Sequence, residues 1–238
     1  MKISVCMASY NGEKYIRQQI DSILPQLGES DELIISDDSS TDDTISVVKS
    51  INDNRIKLIK DQKFKSPVSN FENAIKNATG DFIFLCDQDD IWQPNKVESV
   101  LPFLKQYDLV VSDCKIVDGD LNIIEDSFFK KMHSSTGFWK NFVKNRYLGC
   151  CMAFRKEVLD NALPFPPQIA MHDIWLGLCA ELFGHPFFLN EPLVLYRRHG
   201  NNASFGSEKS KYTLMFKIKY RISLLKMLIK RKNELKNK

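Results

Sequence analysis

The stretch Phe84-Leu85-Cys86-Asp87-Gln88-Asp89-Asp90-Ile91-Trp92, FLCDQDDIW, closes an apolar run with three carboxylates inside four residues. Charges this close repel one another, which raises at least one pKa and destabilises the turn unless something positive sits among them. The apolar run, 81–86 (DFIFLC), reads as a strand, and it is the fourth of a series. Residues 2–8 (KISVCMA), 32–36 (ELIIS) and 56–60 (IKLIK) read as the earlier three, and 13–27, 43–51 and 67–78 carry helical patterns between them. In the first helix Tyr15, Ile16, Ile20, Ile23, Leu24 and Leu27 recur at helical spacing. Short, near-continuous apolar strands alternating with helices predict an α/β fold. Its sheet is mostly parallel and covered on both faces, and its ligands bind beyond the carboxyl ends of the strands.

Three of the four strands end in polar clusters, which this topology would gather into one crevice. They are Ser9-Tyr10-Asn11-Gly12, Asp37-Asp38-Ser39-Ser40 and Asp87-Gln88-Asp89-Asp90. Beyond them, 94–106 predicts a helix and 108–117 a strand, after which the alternation fades. Residues 118–171 read as loops with a helix near 136–145 and a strand running into a turn in LGCCMAFRKEVL. A helix over 172–183 (HDIWLGLCAELF) follows, then HPFFLNEPLVLYRRHGNNAS. With no internal repeat and no low-complexity linker, a nucleotide-binding half (1–106) and an acceptor half (107–208) are expected to share one domain.

Bulk properties narrow the class. A chain of 238 residues with 43% apolar content can bury a large core. Six cysteines without CxxC spacing read as buried reduced thiols in a cytosolic chain rather than a zinc site. The opening MKISVCMASYNG is too short and too polar for a signal peptide, and no run approaches the ~18 to 20 apolar residues of a membrane span. The net charge of +3 conceals a division: residues 209–238 hold eleven Lys/Arg against Glu234 alone, which leaves 1–208 acidic.

An Asp-x-Asp at a strand end can hold Mg²⁺ or Mn²⁺ on one or two carboxylates and leave coordination positions for phosphate oxygens. Such a cation is one answer to the crowding at Asp87, Asp89 and Asp90. The plainer alternative, a helix cap by Asp90 or Asn95, uses one side chain and leaves two acids unexplained. In SDDSSTDDT, Ser40 or Thr41 can cap the next helix and Asp42 or Asp43 can favour its dipole. Asp38 stands earlier, where a carboxylate can accept from a base N–H or a ribose hydroxyl.

The segments SVCMASYNGEKYIRQQIDSIL, ELIISDDSSTDDT, NATGDFIFLCDQDDIW and HDIWLGL…YRRHGNN resemble, in that order, the family 2 glycosyltransferases of the GT-A fold, especially bacterial rhamnosyltransferase-like members. The resemblance covers about residues 1–205. It implies that Ser9, Tyr10 and Asp38 hold the base and Asp87 the ribose, with Glu13, Gln88 and Arg198 completing the nucleotide-sugar set. It further places the metal, Mn²⁺ or Mg²⁺, on Asp89 and makes Asp173 the catalytic base. His199 then serves as a metal ligand or as a contact to the leaving diphosphate. Many relatives carry Gly where Ser39 and Asp43 stand. The resemblance implies inverting transfer of one sugar from dTDP-rhamnose or a UDP-sugar to a hydroxyl of a lipid-linked cell-surface saccharide precursor, of O-antigen, capsule or lipopolysaccharide type.

From the residues themselves, a carboxylate beginning a helix beside Ile174 and Trp175 is desolvated towards useful basicity, while a bare helix cap is the alternative for Asp173. Arg197 and Arg198 can neutralise phosphate charge, and 200–206, small and polar, suits a lid over the donor. A Gln-x-x-Arg-Trp motif of processive synthases is missing. The tail places Leu214, Ile218, Ile222, Leu225 and Ile229 on one helical stripe amid Lys and Arg. A helix of that kind lies on an anionic membrane surface or docks on the catalytic domain. Peripheral contact through 209–238 would place the protein on the inner, cytoplasmic face of the membrane. Nucleic-acid binding is disfavoured by the acidic body and the lack of a reading motif. The rival classes are a haloacid-dehalogenase-like phosphatase, which uses Asp-x-Asp with its first Asp as nucleophile, and a non-catalytic membrane-surface binding module.

Overall fold

The computed structural model describes residues 1–199 and 213–237, apart from the Leu214 side chain. The elements are β1 (Ile3–Ser9), α1 (Ile16–Ile23), β2 (Glu32–Asp37), α2 (Thr44–Ser50), β3 (Ile56–Ile59), α3 (Pro67–Lys76), β4 (Phe82–Asp87), β5 (Ile91–Trp92) and α4 (Lys96–Leu104). They continue with β6 (Leu109–Val117), β7 (Ile123–Glu125), α5 (Phe128–Met132), α6 (Phe138–Val143), β8 (Met152–Arg155), α7 (Val158–Ala162), α8 (His172–Phe183), β9 (Pro186–Arg197) and α9 (Leu214–Lys236).

All elements expected through residue 117 are present, with ends displaced by a few residues. The sheet runs β3-β2-β1-β4-β8-β6-β9-β5, with β7 paired to β6. Its first four strands are parallel, as their unbroken apolar runs predict. The second half is mixed: β8 inserts antiparallel between β4 and β6, and β5 runs antiparallel to β9. The strand expected in LGCCMAFRKEVL is β8, only four residues long and paired on both sides, and its short sequence pattern does not reveal its central position.

Helices cover the sheet through regular stripes. Ile16, Ile20 and Ile23 of α1 are buried at helical spacing. Ser66 caps α3 by accepting the Ser69 N–H, and Pro67 occupies the first helical turn. In α8 the run from His172 to Ala180 is buried on every side, which fits a helix enclosed by α7, α6 and α3. All six cysteines are buried and free.

Glu32 locks the amino-terminal edge of the parallel half. Its carboxylate is buried and accepts from Lys57 Nζ at 2.5 Å, Ser4 Oγ at 2.5 Å, and the Thr79 N–H and hydroxyl at 2.8 and 2.7 Å. Burial alone would raise its pKa, but the Lys57, Ser4 and Thr79 bonds outweigh it and hold the group at about 2. A carboxyl depressed in the fold contributes stability above its unfolded pKa of about 4.3, and that contribution is lost as pH falls through the folded value. Glu32→Ala should lower stability by about 3 kcal/mol at neutral pH. The difference from wild type should shrink between pH ~4.5 and ~2 in denaturant titrations.

Candidate active site

The carboxyl ends of β1, β2 and β4 lie side by side, with Ser9 opposite Asp37 and Ala8 opposite Asp87 in the ladders. The three polar clusters therefore meet, and they are heavily cross-linked. Ser9 is buried and its hydroxyl donates to Asp37 at 2.8 Å. Asp37 also accepts from the Ser40 N–H at 2.8 Å and the Ser40 hydroxyl at 2.6 Å. The Asn11 N–H donates to Ser40 Oγ, and the Asn11 amide oxygen accepts the Thr41 N–H, each at 2.8 Å.

Gln88 clamps the Tyr10 peptide from both sides: its oxygen accepts the Tyr10 N–H and its NH₂ donates to the Tyr10 carbonyl, both at 2.9 Å. Gly12 makes room for this, because a Cβ there would stand 2.2 Å from Gln88 Oε1. Glu13 accepts the Asp43 N–H at 2.9 Å just ahead of α2, a favourable place for a negative charge. Asp38 accepts the Phe64 N–H at 2.6 Å and the Ser66 N–H at 3.2 Å. Ser39, where relatives carry Gly, adopts φ 60° and donates its hydroxyl to the Gln62 carbonyl. Of the expected nucleotide residues, Ser9, Glu13, Asp38 and Gln88 thus have atoms committed to the scaffold. The Tyr10 ring, 56% exposed, is open to a ligand.

The acid turn is met by the cationic residues Arg197 and Lys96 and by the imidazole of His199. Arg197 is buried; its backbone N–H donates to Asp90 Oδ1 at 2.9 Å and its Nε to the Asp89 carbonyl at 2.8 Å. The rest of that guanidinium bonds the Gly119 carbonyl and Gln18, and stacks on Tyr15. His199 Nε2 stands 2.7 Å from Asp89 Oδ2. Lys96 of α4, which no motif in the sequence marks, is fully buried, with Nζ 2.8 Å from the Cys150 carbonyl and 4.2 Å from the Trp92 ring centre. Neither Asp90 nor Asn95 caps α4: Asp90 is taken by Arg197, and Asn95 makes no side-chain cap bond. Arg198, next to Arg197 in sequence, is half-buried, its backbone N–H donating to the Val117 carbonyl at 2.7 Å.

Burial, together with the charges of Asp89 and Asp173, pushes Asp87 up to about 8, against the pull of Lys96. Burial and the charges of Asp89 and Asp87 also raise Asp90, whose Oδ2 is buried without a hydrogen-bond partner among the described residues. Asp173, at the start of α8, is 6% exposed, and burial pushes it up to about 6 against bonds from the Ile174 N–H and Asn145. The first helical residue is His172, so Asp173 is not the cap. Its charge helps to raise Asp87, so the two buried carboxyls lie near enough to interact. Asn145, a further partner of Asp173, carried no signal in the sequence. The lid expected over 200–206 lies outside the described residues.

Two donor sets lie in this corner. Oxygen and sulfur atoms of Asp87, Asp90 and Cys150 come within 4.8 Å of one another, and Asp89 pairs with His199. Mg²⁺ and Mn²⁺ favour carboxylate oxygens and, for Mn²⁺, imidazole; a thiol suits them poorly. Asp90 is fully buried and half used by Arg197, which leaves the Asp89–His199 pair as the oxygen and imidazole donors whose chemistry suits such a cation.

A sheet of this order, with a nucleotide-type crevice and an acid turn at its parallel strand ends, defines the GT-A class of glycosyltransferase folds. The chain is similar in structure to Staphylococcus aureus TarS 1-349 in complex with UDP-GlcNAc, with a TM-score of 0.70, 20% identity, and coverage of 97% of this chain and 72% of that one. It is also similar to Mycobacterium tuberculosis glucosyl-3-phosphoglycerate synthase, solved with Mn²⁺ and UDP, at a TM-score of 0.56, 22% identity, and coverage of 97% and 79%. The profile of Glycosyl transferase family 2 matches residues 4–163, and the chain belongs to that family. The Escherichia coli UDP-Glc:alpha-D-GlcNAc-diphosphoundecaprenol beta-1,3-glucosyltransferase WfgD is 31% identical over 88% of this chain and 81% of its own length. The Shigella flexneri dTDP-rhamnosyl transferase RfbG is 29% identical over 82% and 72%. A glycosyltransferase of Nostoc sp. is matched over 66% of its length.

A carboxyl raised in the fold loses stability as pH climbs from its unfolded value of about 3.9 to its folded one. For Asp87 that window extends to about 8, and Lys96 limits the loss. Lys96→Met should therefore melt several degrees below wild type near pH ~8, with the gap closing towards pH ~5 in scanning calorimetry. An equal gap at both values would reduce Lys96 to a packing role.

Proposed function

We propose that this chain moves a single sugar from a nucleoside-diphosphate sugar to a hydroxyl of a lipid-linked saccharide precursor, with inversion at the anomeric carbon. The observation that carries the reading is Asp173: a desolvated carboxylate with its pKa at about 6, electrically in view of the acid turn at the end of β4. Its basicity sits close to working pH, which is where a general base is most effective. In the proposed step Asp173 accepts the acceptor hydroxyl proton as that oxygen bonds to the anomeric carbon. The bond to the diphosphate breaks on the opposite face, and the diphosphate leaves with the electron pair. One displacement requires no covalent nucleophile on the protein.

The other residues bind and orient. Tyr10 offers an exposed ring to the base, with its peptide held still by Gln88. Asp87, protonated part of the time near neutral pH, can donate to a ribose hydroxyl as well as accept from one. When bound by Asp89 and His199, Mn²⁺ or Mg²⁺ would supply positive charge against the diphosphate. WfgD is named for UDP-glucose and a diphosphoundecaprenol-linked acceptor, and RfbG for dTDP-rhamnose. UDP-glucose and dTDP-rhamnose are accordingly the donors of first choice.

Asp173→Asn should lower kcat by about 10² to 10⁴-fold while UDP affinity in Mn²⁺ changes little. The acidic limb of the wild-type rate profile, with its midpoint near the Asp173 value of about 6, should vanish in that variant. Near-normal turnover would take Asp173 out of the role. Asp89→Ala should remove the part of UDP affinity that depends on Mn²⁺, and calorimetry with and without the metal checks it.

A further inference from the structure

Helix α9 has two faces of different character. On one, Leu224, Leu228 and Arg231 are buried, one or two turns beyond half-buried Tyr220. Arg231 donates to the carbonyls of Asn161, Leu163 and Pro164, at 2.9, 2.8 and 2.6 Å, and lies over the Trp175 ring. The Tyr220 hydroxyl accepts the Ala170 N–H at 3.2 Å, three residues before Asp173, whose charge is felt by that phenol. This face therefore grips the segment leading into the catalytic helix.

The opposite face carries Ile218, Ile222 and Ile229 of the stripe the sequence marks, whereas Leu225 of that stripe is half-buried against the core. Met215, Ile218, Ile222 and Ile229 are each about half exposed or more, at 63, 48, 51 and 51%, and no described residue covers them. On a helical projection Lys219, Lys226 and Lys230 flank this stripe on one side and Arg221 and Lys232 on the other, with Glu234 the lone acid of the helix. On the Arg221 side, its guanidinium reaches the Val143 carbonyl at 3.4 Å and brings α6 alongside. There Trp139 and Val143, one turn apart, are 66% and 72% exposed. The surface joins an apolar ridge, basic flanks and an amphipathic aromatic residue.

We propose that this surface, the outer face of α9 with Trp139 and Val143 of α6, docks on an anionic lipid bilayer. The charge pattern selects the occupant. A ridge of Ile and Met between rows of Lys matches acyl chains below and phosphate headgroups beside them, whereas a second copy would oppose like charges. Trp suits the headgroup layer. None of the helices described is long and apolar enough to cross a membrane, so the contact is a surface one. Because the inner face of α9 holds the approach to Asp173, lipid docking orients the end of the active site that meets the acceptor. The inference deepens the lipid-linked acceptor reading and rests on it for its purpose, while the binding is measured without donor or acceptor.

The full chain should co-sediment with vesicles of phosphatidylglycerol and phosphatidylcholine and not with phosphatidylcholine alone. Raising salt from about 0.1 M to about 0.5 M should weaken the contact, since screening shortens the reach of the lysines. The double variant Ile222→Glu/Ile229→Glu should bind the anionic vesicles at least about tenfold more weakly, with melting temperature and UDP binding unchanged. Trp139→Ser should give a smaller loss in the same direction. Absence of sedimentation, or equal binding by the double variant, would overturn the proposal. So would a concentration-dependent dimer in ultracentrifugation that the double variant abolishes, because the stripe would then belong to a second copy. Vesicle binding by a chain that transfers no sugar from any donor would leave docking in place and remove the glycosyl-transfer reading.

Discussion

Repulsion among Asp87, Asp89 and Asp90 is the constraint around which the rest of the molecule is arranged. Three carboxylates at the end of a buried strand are tolerable only if positive groups are built in with them. Lys96 comes from the helix that follows, and Arg197 and His199 from the end of β9, more than a hundred residues later. The β9 strand reaches this corner through its pairing with β6 and β5, so the mixed half of the sheet is what delivers Arg197 and His199. Buried Asp90 and Lys96 settle the inner charge, and Asp89 with His199 is left facing the side where a cation and diphosphate would sit.

The neighbouring strand ends show how much of a polar cluster is spent on its own shape. Asp37 receives three hydrogen bonds from Ser9 and Ser40, and Asp38 receives two from the 64–66 backbone. These bonds hold three loops against one another without any ligand, which is what preorganisation requires: little of a ligand's binding energy is lost to ordering the site. A rigid floor with one exposed aromatic ring and one acid turn is a more selective receptor than a loose set of polar side chains would be.

The parallel half was legible because its code is local. Each of its strands is a short, near-continuous apolar run bounded by a helix pattern, and the acid turn declares itself by charge density alone. The family motifs single out Asp173 as the base candidate, and although 86 residues separate it from Asp87, its charge reaches that residue. The mixed half was illegible for the opposite reason. The β8 strand is four residues long and antiparallel to both neighbours, and nothing in LGCCMAFRKEVL says which strands it will separate. Lys96 was missed because a lysine in a helix is expected in solvent, and only the three-dimensional proximity of Asp90 and the Trp92 ring makes its burial tolerable. Asp38 has a donor-facing position in the sequence, yet its backbone partners come from a loop with no pattern at all.

The C-terminal helix sharpens this point. Its sequence stripe, read alone, permits either docking on the domain or lying on a membrane, and the two had stood as alternatives. The helix packs instead with the faces adjoining Leu224, Leu228 and Arg231, leaving Ile218, Ile222 and Ile229 outward. Periodicity identifies an apolar stripe but not the body it faces, and a helix with two such stripes has room for two partners. The inward stripe is anchored by Leu224 and Leu228 in the core, by Tyr220, Leu225 and Met227 packed against it, and by a guanidinium on three carbonyls, while a second set of apolar side chains stays uncovered among the described residues. An apolar ridge exposed beside so many lysines costs hydration free energy unless something covers it. That imbalance is why the outer face, and not the packed one, is where a partner has to be sought.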